Sequence, residues 1–364
     1  MATSAAGTAL VGRVAQVAEQ VLAPAAGQTE RCRVRRATLD ALAPTGLYGM
    51  AVDPDVDMAA VREVTETLAA ADASTWFVTA QHHLVARTVI RAGTGIAQRL
   101  GPDLRAGRLI GGQGISQLRR PGPATLRASR VLGGWRFDGT IPWYTGWGLN
   151  DIALLAGRTG GDRDPTGGDP DGTGGAPDQA VFAVVPAVTG QLHASAPLDL
   201  LAMSATATVS LRVEGLRVGD EDVVRVLPLD RWAAADARRT PNANPAVFGV
   251  ARAALADLAE VADRQPALGE AVTRFRARLE RVRAEAYRLL DEVPDEEALD
   301  LRLGLRVAAI RVALDVTAAA VAAHAGAAMA SGHPAQRRAR EALFLAVQAQ
   351  TAEVRAATVS SLAG

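Results

Sequence analysis

The chain has 364 residues, of which 49% are hydrophobic and only 4% aromatic, with 39 basic and 39 acidic side chains. That length supports two or three domains around a large core, filled mainly by Ala, Leu and Val on helices. The balanced charge leaves no field to hold nucleic acid or an acidic membrane surface, and since every basic residue other than histidine is arginine, Schiff-base and Walker-type lysine chemistry is excluded.

In chain order, apolar residues recur three and four apart from Thr8 to Leu22 and from Arg35 to Ala43, predicting amphipathic helices. A further helix is predicted over Met58–Ala71 after Asp53-Pro54-Asp55, and another over Ser74–Ala92, with Gly101-Pro102 closing this helical stretch. Residues 1–107 read as a first helical domain. From Arg108 the texture changes to short β-branched and aromatic runs, Gly134–Asp138, Ile152–Ala156, Ala180–Val185 and Val209–Val213, which predict an antiparallel β domain over 108–228. Within it, Thr159–Pro177 is almost all Gly, Asp, Pro and Thr, and reads as a disordered loop. The helical pattern returns over 229–364, broken at Pro241–Pro245, Gln265-Pro266, Val293-Pro294-Asp295 and Gly332-His333-Pro334, which predicts a four-helix bundle. No βαβ unit is present, and Gly111-Gly112-Gln113-Gly114 is too degenerate for a dinucleotide turn.

The lone cysteine, Cys32, excludes a disulfide framework and a cysteine-rich metal site. Met1–Val17 has no basic segment ahead of an apolar block, and no window of about 20 uninterrupted apolar residues follows, so a soluble cytoplasmic protein is expected.

The segment Gly134-Trp135-Arg136-Phe137-Asp138-Gly139 leading to Trp143-Tyr144-Thr145 resembles the acyl-CoA dehydrogenase pattern in which a strand ending in Asn-Gly or Asp-Gly precedes Trp-aliphatic-Thr. Pro197–Thr206 with Val213–Val218 is similar to the next family signature, and Ala325–Met329 followed by His333–Glu341 to a late Gly-Gly turn and Arg-rich helix. The resemblance covers essentially the whole chain. It implies a mainly α fold with a central β domain, helical, β-barrel-like and four-helix-bundle in that order, and a flavin cofactor. FAD is implied, with FMN or a diffusible reduced flavin as options. By the resemblance Trp143 packs on the flavin and Thr145 reaches its nitrogen edge, while Ser116, Gly326 and Arg264 are further flavin contacts. Gln81, Met203 and Thr206 are expected at the substrate, and Arg119 or Arg120 at a phosphate.

Two departures concern the reaction. Family members take the substrate's α-proton with a Glu, either in a loop after the Arg-rich helix or early in the last helical domain; here these places read Gln348-Ala349-Gln350-Thr351 and Pro241–Gly249, without a carboxylate. Glu341 is a relocated candidate, alongside His82, His83 and His324, for each of which a surface, capping or core role is at least as consistent. The leading reading is a flavin-dependent oxidoreductase acting on an acyl thioester or a related small molecule, CoA- or carrier-linked. The alternatives are a two-component monooxygenase using reduced flavin and O2, and a non-catalytic flavin- or acyl-binding subunit. Implied partners are a second copy of the chain, as homodimer or homotetramer, and a flavin reductase or electron acceptor; no metal, nucleic acid or membrane is expected.

Overall fold

The computed structural model describes residues 3–93, 95–160 and 178–363. Most of the Gly- and Asp-rich stretch read above as a disordered loop lies outside them.

Six helices come first. α1 (Ala5–Val17) is capped by Ser4, whose hydroxyl accepts from the Gly7 N–H, and continues through a π turn into α2 (Ala23–Arg31). α3 (Arg36–Leu42), α4 (Met58–Ala71) and α5 (Ala73–Arg91) follow. Asp72 caps α5, its carboxylate accepting from the Ser74 and Thr75 N–H groups and from the Thr75 hydroxyl at 2.7 Å. α6 (Gly95–Ala106) runs through Gly101-Pro102, where the sequence predicts a stop. Burial of Ile96 and Leu104 against the neighbouring apolar cluster outweighs the one backbone hydrogen bond that Pro102 cannot make.

The sheet holds β1 (Gly111–Gly114), β2 (Leu126–Val131), β3 (Gly134–Tyr144), β4 (Ile152–Arg158), β5 (Gln179–Pro186), β6 (Leu192–Ala194), β7 (Val209–Gly219) and β8 (Val223–Pro228). Its order is β6-β7-β3-β2-β4-β5-β8, with β1 beside β4. The predicted antiparallel pairing is found throughout except at β4, which runs parallel to both β1 and β2. The long excursion through β2 and β3 supplies the crossover that a parallel neighbour requires. β4 alternates strictly: Ala153 and Leu155 pack with Phe137 and Val181, while Ile152, Leu154 and Ala156 face Val85 and Val89 of α5.

α7 (Leu229–Arg239), α8 (Pro245–Ala262), α9 (Gly269–Glu292), α10 (Leu299–His324), α11 (Pro334–Val347) and α12 (Ala352–Ala363) complete the chain. The first and last helical blocks share one apolar core that runs from Leu10 to Leu345. α5 belongs to both halves of the molecule. Phe77 and Val78 sit in that helical core, whereas Val85, Ala86 and Val89 pack on the sheet.

α4 and α8 cross so closely that a Cβ on Gly249 would stand 2.2 Å from the Glu66 carbonyl oxygen. Beneath this crossing the Glu66 carboxylate is fully buried and accepts from Arg252, from Arg283 at 2.7 Å and from the Tyr287 hydroxyl at 2.6 Å. Gly249→Ala is therefore expected to lower unfolding stability by roughly 3 kcal/mol. Gly269→Ala, where nothing lies within 4 Å of the new methyl group, is expected to be neutral or slightly stabilising. Urea denaturation followed by circular dichroism checks both.

Candidate functional site

A cavity of about 620 Å³ lies between α4, α5, the start of α8, β1 and the chain just after α11. Its apolar wall includes Met50, Val61, Leu68, Trp76, Phe77 and Leu84. Its polar lining combines the carboxamides of Gln81, Gln113, Asn242, Asn244 and Gln348 with the His83 imidazole and the charged groups of Arg62, Arg87, Asp291 and Asp295. A volume of this order suits a small organic molecule.

Adjacent histidines on α5 have opposite fates, because a helix points successive residues to different faces. His82 is buried; its Nδ1 accepts from the Gly111 N–H at 3.2 Å, so its Nε2–H donates to the Tyr48 carbonyl, also at 3.2 Å. Burial lowers its pKa to about 4, and both ring nitrogens are committed to holding α5 against β1. His82 is thus removed as a catalytic candidate. The glycines of β1 make this seam possible, since a Cβ on Gly111 would lie 2.7 Å from Val85. His83 lines the cavity with neither ring nitrogen hydrogen-bonded, and burial together with the neighbouring His82 and Arg87 pushes its pKa down to about 3. It is a neutral imidazole with one donor and one acceptor unused. Gln81 accepts from Gln113 Nε2 at 2.7 Å, leaving the buried Gln113 Oε1 unpartnered.

The two places that lack a carboxylate in the sequence meet in space. Asn244 Nδ2 donates to Gln348 Oε1 at 3.1 Å, closing one wall of the cavity with a carboxamide pair. Both loops are held by buried guanidinium groups of α10. Arg306 donates to the carbonyls of Thr240 and, at 2.7 Å, Gln348; Arg302 donates to Asn242 Oδ1 at 2.8 Å and to the carbonyls of Val293, Pro294 and Glu297.

Trp143, near the end of β3, keeps 36% of its surface exposed. Thr145 is buried and heads a chain of hydroxyl groups whose direction is determined at its far end. The Thr206 hydroxyl donates to the Met203 carbonyl at 2.7 Å, so it accepts from Thr208, which in turn accepts from Thr145. Thr145 has spent its proton and offers only a lone pair. Met203 and Thr206, expected at the substrate, are buried and lie outside the lining of this cavity. Ser116 is exposed at the start of a 3-10 turn that packs against β3.

Other candidates lie elsewhere. Arg119 is held by Asp236 through two hydrogen bonds, at 2.6 and 2.8 Å, and is not available to a phosphate. Gly326 and Arg264 are exposed, the first in the turn after α10 and the second just past α8. The His324 ring meets that of His333 edge-on at 4.7 Å, and His333 Nδ1 accepts from the Ala335 N–H to cap α11. Among the described residues no group of histidine, cysteine, aspartate and glutamate could hold a metal ion. Sequence reasoning missed Arg87, Gln113 and the meeting of Asn244 with Gln348. Only Arg87 left a readable signal, four residues after His83.

No protein-family model and no curated protein sequence matches the chain. Solved structures do match in fold. Butyryl-CoA dehydrogenase from Megasphaera elsdenii superposes with a TM-score of 0.80 at 16% identity, covering 100% of both chains. A glutaryl-CoA dehydrogenase from Mycobacterium smegmatis in complex with FADH2 gives 0.78 at 17% identity, over 98% of this chain and 94% of that one. The dibenzothiophene monooxygenase TdsC from Paenibacillus gives 0.76 at 18% identity, over 97% and 96%; it has also been solved with FMN and indole. The chain therefore has the acyl-CoA dehydrogenase fold, which these solved proteins use for more than one reaction.

Glu341 departs from the expected solvated helix face. It is buried on α11 beside Arg337, 3.7 Å away, and outside the cavity lining. Burial raises its pKa from 4.5 to about 7, with Asp72 adding to the rise and Arg337 opposing it. A carboxyl group that holds its proton more tightly when folded stabilises the fold fully below pH 4.5, and that contribution falls away as pH rises to about 7. Glu341→Gln is expected to match the parent near pH 4 and to exceed it by roughly 3 kcal/mol at pH 8. Thermal unfolding across that pH range checks the crossover.

Proposed function

We propose that the chain is a flavin-dependent oxidoreductase that transfers oxygen to a small organic molecule held in the cavity, using reduced flavin supplied by a partner reductase. The observation that carries this reading is the Asn244–Gln348 pair: where acyl-CoA dehydrogenases carry a carboxylate base, two carboxamides bond each other. A carboxamide has no proton-accepting power near neutral pH, and His83, held neutral but at about 3, is a weak base. The two carboxylates on the cavity lining are placed otherwise: Asp291 is ion-paired with Arg62 at 2.7 Å, and Asp295 is exposed on the loop between α9 and α10.

The residues around β3 fit a flavin. Trp143 presents an exposed aromatic face, and a buried Thr145 oxygen that can only accept complements the N–H that a reduced flavin, but not an oxidised one, carries on its central ring. Ser116, exposed on the turn that packs against β3, is the residue this reading assigns to a polar contact with the flavin. FAD, FMN and FADH2 all fall within this reading, in keeping with the FADH2 of the glutaryl-CoA dehydrogenase and the FMN of TdsC. When bound, the flavin supplies the electrons for activating oxygen. The protein's part is to cover the ring with Trp143, exclude water with the apolar wall and orient the substrate through His83, Gln81 and Gln113.

Two assays test the proposal. With FMN, NADH and an added flavin reductase, an aromatic probe such as indole or an aromatic acid is expected to gain an atom from isotopically labelled O2. Under anaerobic conditions, short and long acyl-CoAs are expected to leave the absorbance of oxidised flavin unchanged. Bleaching by an acyl-CoA without oxygen overturns oxygen transfer in favour of dehydrogenation, and a protein that takes up neither oxidised nor reduced flavin overturns the flavin reading itself.

A further inference from the structure

Thr79, His83, Arg87 and Arg91 follow one another at four-residue steps on α5 and share one face. The first three line the cavity and Arg91 is exposed beyond them, so the face runs from the interior to the mouth. Its chemistry is graded. Thr79 is buried with its hydroxyl donating to the Trp76 carbonyl, His83 is neutral and unpartnered, and Arg87 is a half-buried cation.

Most other enclosed arginines have a close partner: Arg62 has Asp291, Arg119 has Asp236, and Arg302 and Arg306 have carbonyl groups, whereas Arg337 lies 3.7 Å from Glu341 with two of its nitrogens unbonded. Among the described residues Arg87 has no hydrogen-bonded or ion-paired partner, and the charges that act on it, Arg91 and Arg239 at the end of α7, have its own sign. A cluster of like charges beside a low-dielectric wall is unfavourable until an anion joins it. The cavity's carboxylates do not fill that role: Asp291 is bound to Arg62, and Asp295 is exposed on the loop between α9 and α10.

We propose that Arg87, with the like-charged Arg91 and Arg239 near it, is an anion subsite of the cavity, taking a carboxylate or phosphate. The molecule held there carries that group about one helical turn, roughly 5–6 Å, from a neutral N–H or O–H that reaches His83. This rests on the cavity being the substrate site proposed above, and not on which flavin reaction follows.

Calorimetric titration of the purified protein tests it, with 4-hydroxybenzoate and its uncharged analogue 4-hydroxybenzyl alcohol as probes. The acid is expected to bind at least about tenfold more tightly than the alcohol. Arg87→Gln is expected to weaken the acid by about ten- to hundredfold while leaving the alcohol unchanged, Arg87→Lys to retain part of the preference, and His83→Ala to weaken both alike. A parallel comparison of FMN with riboflavin identifies the anion's source: loss of FMN but not riboflavin binding in Arg87→Gln assigns the subsite to a phosphate of the cofactor. The proposal is overturned if the parent protein distinguishes neither pair, or if Arg87→Gln, folded by circular dichroism, leaves both preferences intact. Failure to bind any flavin sinks the proposed reaction while the aromatic pair still decides the subsite.

Discussion

Everything about the cavity depends on two buried guanidinium groups, Arg302 and Arg306 of α10, which tie the loops before α8 and α10 and after α11 to a single helix. A buried cation without a carboxylate is costly unless many dipoles replace its water, and here backbone carbonyls do so. The planar fork of five donors makes this possible; an ammonium on a flexible stem could not reach carbonyls from several loops at once. The absence of lysine from the chain thus has a structural counterpart, since arginine serves as a multivalent clamp.

Because those clamps set where the loops meet, they also decide the chemistry available there. The side chains they bring together are Asn244 and Gln348, which satisfy each other. The wall is as well organised as one carrying a base would be, yet it holds no proton acceptor of useful strength. The same architecture is found in a butyryl-CoA dehydrogenase and a dibenzothiophene monooxygenase, so the fold by itself does not name the reaction.

α5 is the other organising element. One half lies in the helical core and the other on the sheet, with His82 pinned between the Tyr48 carbonyl and the Gly111 N–H. That anchorage leaves the next residue, His83, facing the cavity, and carries Arg87 outward from it by one turn. A scaffold histidine and a candidate ligand-contacting histidine are thus neighbours in sequence, told apart only by the face of the helix each occupies.

The sequence by itself determined the kind of fold: helical periodicity before Arg108 and after Leu229, and β-branched runs between them, depend on local propensity and on the period of burial, which are properties of short windows. It also showed that the usual base positions lack a carboxylate, and marked Trp143 and Thr145 as residues to examine. Tertiary structure decided the rest. Pro102 lies inside a helix because packing outweighs one lost hydrogen bond; β4 has parallel neighbours because sheet order is not local; Glu341 is buried because α11 lies beside the start of α5. Most of all, whether Thr145 gives or takes a proton depends on Thr208, Thr206 and the Met203 carbonyl, groups some 60 residues away in the chain and within hydrogen-bonding distance only in the fold.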